Sequence, residues 1–152
     1  MNTVTMRADA LSVGQSAPPL ERTLSQMRMI AYAGATWDWH RLHYDSAYAQ
    51  ARNLPTPVVD GQMLGALLAE MLIDWLGPRA FIRRLAFRLR GMVFAGDTVR
   101  CEGTVTAIEA DGDSGLVAVA MRIRAGDRLV VEPASAEISL PRHGSAITPR
   151  VS

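Results

Sequence analysis

A chain of 152 residues, 49% apolar and 20% charged, has the composition of one globular domain rather than of a disordered segment. Its formal charge of +1 gives no reason to expect nucleic acid or an acidic membrane as partner, and no apolar run reaches membrane-spanning length. The single cysteine, Cys101, excludes an internal disulfide, and a cytoplasmic setting is the expectation.

Residues 1–19 carry no clear period, and Met1 to Gln15 lacks the apolar run of a signal peptide. With Ala17-Pro18-Pro19 as an entry linker, they are expected to form an N-terminal extension. Leu20 to Leu24 has the makings of a short strand, and Ser25 is a good N-cap for a helix over Gln26 to Ala33. That helix offers Met27, Ile30 and Tyr32 for burial, and Gly34 is expected to end it. Asp45 is a second candidate cap, for a short helix Ser46 to Arg52, and Pro55 and Pro57 keep the following segment extended. Gly61 to Leu76 then reads as a helix that is apolar most of the way round, a pattern of burial, and Gly77-Pro78 stops it.

From Arg84 the period becomes two: Leu85, Phe87 and Leu89 alternate with Arg84, Arg88 and Arg90. After Gly96-Asp97 the inward set is Val99, Cys101, Gly103, Val105 and Ala107. Asp111 to Gly115 is a hairpin signal leading into Leu116 to Arg124, and Gly126-Asp127 turns the chain into Leu129 to Leu140, where Pro133 marks an edge or a bulge. One buried helix followed by four strands in an antiparallel meander implies an α+β, single hot-dog fold over residues 20–141. In it, a curled antiparallel sheet wraps around a long central helix. Residues 142–152 are expected to be a flexible tail. A single unit leaves a sheet edge open, which favours pairing with a second copy or a homologous subunit.

The chemistry concentrates in the loop Ala35 to His43 and at the start of the long helix. Asp38 and His43 bring a carboxylate and an imidazole close together, and the first turn of the helix, at Gly61, offers backbone N–H groups without helical partners. Trp39, His40 and Asp60 are candidate pocket residues, and Arg84 and Arg88 are candidates for phosphate contact. Glu70, within an apolar helix, is where a thioesterase of this fold could place its base. No cofactor is expected, and the two neighbouring histidines come with no ligand set of the usual spacing for a metal.

The run Asp38-Trp-His-Arg-Leu-His43-Tyr-Asp45, followed by Tyr48-Ala49, Gly61 and Gly96-Asp97-Thr98, resembles the MaoC-like (R)-specific enoyl-CoA hydratases and dehydratases. The resemblance covers roughly Val13 to Pro141. It implies Asp38 and His43 as the catalytic pair and the Gly61 N–H as oxyanion donor. The reaction implied is syn addition or removal of water across the C2–C3 double bond of an acyl thioester of CoA or acyl carrier protein. Two positions depart from the pattern: Asp60 stands where a His is common before the helix glycine, and Ala69 where a Ser often lies. The stretch Asp74 to Pro78 resembles small hydratase subunits of steroid side-chain degradation, some of which work beside a homologous partner. That gives a rival expectation, an acyl-binding subunit without activity of its own.

Overall fold

The computed structural model describes residues 6–142. A 3-10 turn Ala8–Ala10 leads to strand β1 (Leu20–Thr23), helix α1 (Gln26–Thr36), a 3-10 turn Arg41–His43 and helix α2 (Ser46–Gln50). The long helix α3 (Gly61–Leu76) precedes strands β2 (Phe81–Leu89), β3 (Thr98–Asp111), β4 (Ser114–Ala125) and β5 (Arg128–Pro141).

The strands form one antiparallel sheet in the order β1-β3-β4-β5-β2. The meander is therefore three strands, β3 to β5, and not four. β2 pairs with β5 and lies at the opposite side of the sheet from β1. Residues 90–97 carry the chain from β2 across to β3, and α3 lies against the inner face. Met63, Leu64, Leu67, Leu68, Met71, Leu72, Trp75 and Leu76 of α3 are buried against Val99, Val105, Val119, Ile123, Ala136 and Ile138 of the sheet. This is the expected hot-dog architecture. Leu68 is wholly buried. Leu68→Ala should cost about 2–5 kcal/mol, read as a lower urea midpoint at unchanged slope.

Local chemistry sets both ends of α3. The Asp60 carboxylate accepts the Gln62 N–H at 2.8 Å, and the Gly77 N–H donates to the Ile73 carbonyl at 2.9 Å. Two glycines set how closely β2 approaches. A Cβ on Gly61 would lie 2.5 Å from Leu89 Cδ1, and one on Gly65 would collide with the Phe87 ring. At Gly65 the absence of a side chain lets the Phe87 ring of β2 lie against α3, whereas at Gly61 the colliding group is the end of the half-exposed Leu89 side chain.

Several expectations are corrected. α1 runs through Gly34 to Thr36, and Trp37, in the left-handed region at φ 60°, caps it instead. Its buried residues are Met29 and Ala33, whereas Met27 is 80% exposed. The inner face of β3 skips Ala107, because a register shift between Val105 and Ala107 hands the core position to Ile108. Pro133 sits in β5, which has neighbours on both sides, and the register shifts there against both, so it marks a bulge and not an edge.

The segment before β1 is packed. Ala8, Leu11 and Ala17 join the core, the Met6 N–H donates to the Leu76 carbonyl at 2.8 Å, and residues 14–17 exchange backbone hydrogen bonds with Gly103 and Val105. Of the expected tail, residues 143–152 lie outside the described residues.

Candidate active site

Three segments converge at the start of α3. The Asp38 N–H donates to the Ala33 carbonyl at 3.0 Å, which sets Asp38 just beyond the end of α1. His43 ends the following 3-10 turn. The Pro55–Val59 segment is held between that turn and residues 93–95: the Val58 N–H donates to Leu42, the Val59 N–H to Val93, and the Ala95 N–H to Pro57. One ligand-capable atom each of Asp38, His43 and Asp60 then lies within 4.8 Å of the others, and all three residues are half-buried.

Each of the three is oriented by the backbone. The His43 Nδ1 lies 2.7 Å from the Val58 carbonyl, an atom that can only accept, so Nδ1 carries the proton and Nε2 is the free, basic nitrogen. Asp38 Oδ1 accepts the His40 N–H at 3.1 Å, and Asp60 Oδ1 accepts the Gln62 N–H, which leaves a second oxygen on each carboxylate. Neither carboxylate forms a salt bridge among the described residues. The Gly61 N–H has no acceptor among them either. A carboxylate and a basic imidazole nitrogen are thus neighbours, a pair suited to moving a proton. Gly61, whose N–H is unused, follows Asp60 in the chain but is not itself part of the cleft lining.

Met29, Tyr32, Ala33 and Met63 wall the narrow cleft around Asp38, His43 and Asp60. Burial, and behind it the charge of Asp60, raise the Tyr32 phenol above its usual value. The sequence marks Tyr32 only as a core residue. The i, i+3, i+4 spacing of Met29, Tyr32 and Ala33 is the signal that puts all three on one face of α1. The Asp38, His43 and Asp60 atoms also have a spacing at which carboxylates and imidazole can share a divalent cation. The sequence offers these three as site residues but not as a ligand set, because Asp60 comes from a separate segment.

The other candidates stand outside the cleft lining. His40 is exposed, and its Nδ1 accepts the Leu42 N–H at 3.2 Å, so it caps the 3-10 turn. Trp39 is 45% exposed and packs edge-on against Trp37 and Tyr44. Arg84 and Arg88 are exposed and alternate with Leu85, Phe87 and Leu89, so they point away from the face of β2 that covers Gly61. Within this chain they do not join the cluster. Glu70 is bound to Arg22 of β1 at 2.6 Å and is absent from the cleft lining. Burial, reinforced by the Glu70 charge, pushes the Cys101 thiol up to about 12, which leaves it inert as a nucleophile. A larger cavity of ≈ 420 Å³ lies on the outer face of the sheet, but the Arg100, Arg122 and Glu102 side chains that line it are paired with one another or with Glu21.

The family and the fold are shared with known proteins. Residues 10–125 match the model of the MaoC like domain. The chain is 34% identical over 109 residues to an (R)-specific enoyl-CoA hydratase of Aeromonas caviae, covering 70% of this chain and 79% of that protein. It is 31% identical over 107 residues to the 3-oxo-4,17-pregnadiene-20-carboxyl-CoA hydratase beta subunit of Mycobacterium tuberculosis, covering 70% and 80%. Among solved structures, the (R)-hydratase from A. caviae superposes with a TM-score of 0.79 at 29% identity, over 87% of this chain and 98% of that one. A chain of the ChsH1-ChsH2 complex from Mycobacterium tuberculosis does so with a TM-score of 0.75 at 27% identity, over 86% and 98%. With the matched domain spanning most of the sequence and the fold shared, this chain belongs to the MaoC-like family.

Proposed function

We propose that this chain hydrates the C2–C3 double bond of an enoyl thioester, or removes water in reverse, at Asp38, His43 and Gly61. The observation that carries the proposal is the free His43 Nε2 grouped with Asp38 and with Asp60, the residue that precedes Gly61 and its unused N–H. Water gives its oxygen to C3 while Asp38 and His43 take up a proton, and the same pair returns a proton to C2. Between the two events charge builds on the thioester oxygen, where the Gly61 N–H and the positive end of α3 stabilise it. Met29 and Met63 narrow the cleft, and their unbranched side chains can move as substrate enters. The test is to incubate the purified chain, alone, with a panel of enoyl-CoAs and follow loss of enoyl absorbance. No loss with any member would overturn the proposal for the isolated chain.

A second reading is supported by Asp60. Its carboxylate stands beside Gly61, where an oxyanion would form, and one relative is named as a beta subunit. In that reading the chain completes a homologous partner's site and is inert alone. A thioesterase gains less support, because Arg22 engages the Glu70 carboxylate.

For either reading we expect a dimer, with a second copy or a homologous subunit, through the edge of β2. That strand pairs only with β5 among the described strands, and Phe81 on it is 67% exposed. The interface should exceed about 1,000 Å². Light scattering at micromolar concentration should give the dimer mass; a stable monomer would refute the expectation.

A further inference from the structure

The acid/base cleft holds more acceptors than one water can satisfy. Its polar lining is Tyr32, Asp38, His43 and Asp60, and the remainder is apolar. With both carboxylates ionised, Asp38 and Asp60 each present one oxygen that no N–H occupies, and His43 presents Nε2. A water has only two hydrogens to give. Once the substrate water bridges Asp38 and His43, the free Asp60 oxygen is left without a donor. An unpaired carboxylate in a closed cleft is costly, and here the charge also opposes the reaction. The Asp60 carboxylate bonds to the Gln62 N–H, a contact that spans Gly61, so its charge stands beside the N–H where an oxyanion would form.

Tyr32 is the lining side chain with a hydrogen still to donate. The His43 proton is taken by the Val58 carbonyl, whereas the Tyr32 hydroxyl has no hydrogen-bond partner among the described residues. It also lies within the field of Asp60. Burial first, and then that charge, raise the phenol above its ordinary value, which keeps it protonated and so a donor. We infer that Tyr32 is a positioning residue that screens Asp60. When substrate displaces solvent from the cleft, the Tyr32 hydroxyl donates to the free Asp60 oxygen, directly or through one water. That bond draws the carboxylate's charge away from the Gly61 N–H, and in a closed, water-poor cleft it counts for more than in solvent. Tyr32 itself neither touches the reacting atoms nor transfers a proton. The inference rests on the proposed acyl-thioester site and deepens it by naming the group that makes Asp60 compatible with an oxyanion.

Two substitutions isolate this contact. Tyr32→Phe removes the hydroxyl and keeps the ring, and Asp60→Asn removes the charge and keeps a residue that caps helices well. Melting temperatures check that each variant folds. Tyr32→Phe should lower kcat for enoyl-CoA hydration about 10–100-fold, the usual worth of a hydrogen bond to a charged group, with KM changed less. In the Asp60→Asn background the same substitution should cost less than about twofold, because no charge remains to screen. A Tyr32 that only supports packing would lose the same factor in both backgrounds, and that result overturns the inference. So does unchanged turnover in Tyr32→Phe. A saturated ligand separates the inference from the reaction, because it cannot be hydrated. Difference infrared spectra of bound butanoyl-CoA, isotopically labelled at the thioester carbonyl, report how strongly that carbonyl is polarised. Tyr32→Phe should move the carbonyl stretch to higher frequency, and in the Asp60→Asn background it should not. That pattern without hydration leaves the inference standing and removes the proposed reaction. Hydration with neither the shift nor the coupling removes the inference alone. A chain that neither binds butanoyl-CoA nor hydrates any enoyl-CoA overturns both.

Discussion

His43→Ala and Asp38→Asn should each lower the rate of enoyl-CoA hydration by about 10²–10⁴-fold, the range supplied by a positioned acid/base group. The two groups are neighbours without a direct hydrogen bond between them, a relation one substrate water can bridge. Groups that act on one water form a unit, so the double variant should be little worse than the worse single one. Asp38→Asn is the sharper of the two. An Asn side-chain oxygen can still accept the His40 N–H, so the loop keeps its shape while the charge beside His43 is lost. Substrate should still bind, since neither group is expected to hold the acyl chain. His40→Ala removes a cap from an exposed turn and should change turnover little. If His40→Ala abolishes hydration while His43→Ala spares it, the assignment is wrong. If the wild-type chain works only with a homologous partner, the same variants are measured in that complex. Full activity of the His43 and Asp38 variants there would make this chain the supporting subunit.

What the sequence made legible follows from the range of the forces involved. The buried helix and the alternating strands show their apolar period within a few residues, so α3, β3, β4 and β5 are readable directly. The place of β2 is not, because which edge it joins depends on how the sheet curls around α3, and no local pattern records that. Segment 6–19 escapes notice for another reason. It binds through backbone hydrogen bonds and buries the small side chains of Ala8 and Ala17, which leave no periodic mark. In the site, the loop motif singles out Asp38 and His43, and the helix start singles out Gly61. Tyr32 as a cleft wall emerges only when α1 is brought against the cap of α3, which also carries Asp60, already a candidate pocket residue, into the cluster. Arg84 and Arg88 illustrate the converse: their guanidinium chemistry suits phosphate, but strand alternation carries them to the face away from Gly61.

Gly61→Val should reduce kcat by about 10²–10³-fold, the loss typical of a disabled oxyanion donor. The amide itself survives this substitution; what changes is the space around it. A Cβ at residue 61 meets Leu89 Cδ1 at 2.5 Å, the end of a flexible side chain that is itself half exposed and able to turn outward. The strain of the variant is therefore relieved at Leu89, and the new methyl groups take the place on that side of the N–H where a thioester would dock. Stability and turnover can be told apart by adding Leu89→Ala, which removes the colliding atoms. If the single variant were slow only because it folds poorly, the double variant would recover both its melting temperature and its rate relative to Leu89→Ala alone. With the carbonyl docked at Gly61, the melting temperature recovers and the rate stays low. A double variant turning over as fast as Leu89→Ala would show that the thioester oxygen binds elsewhere.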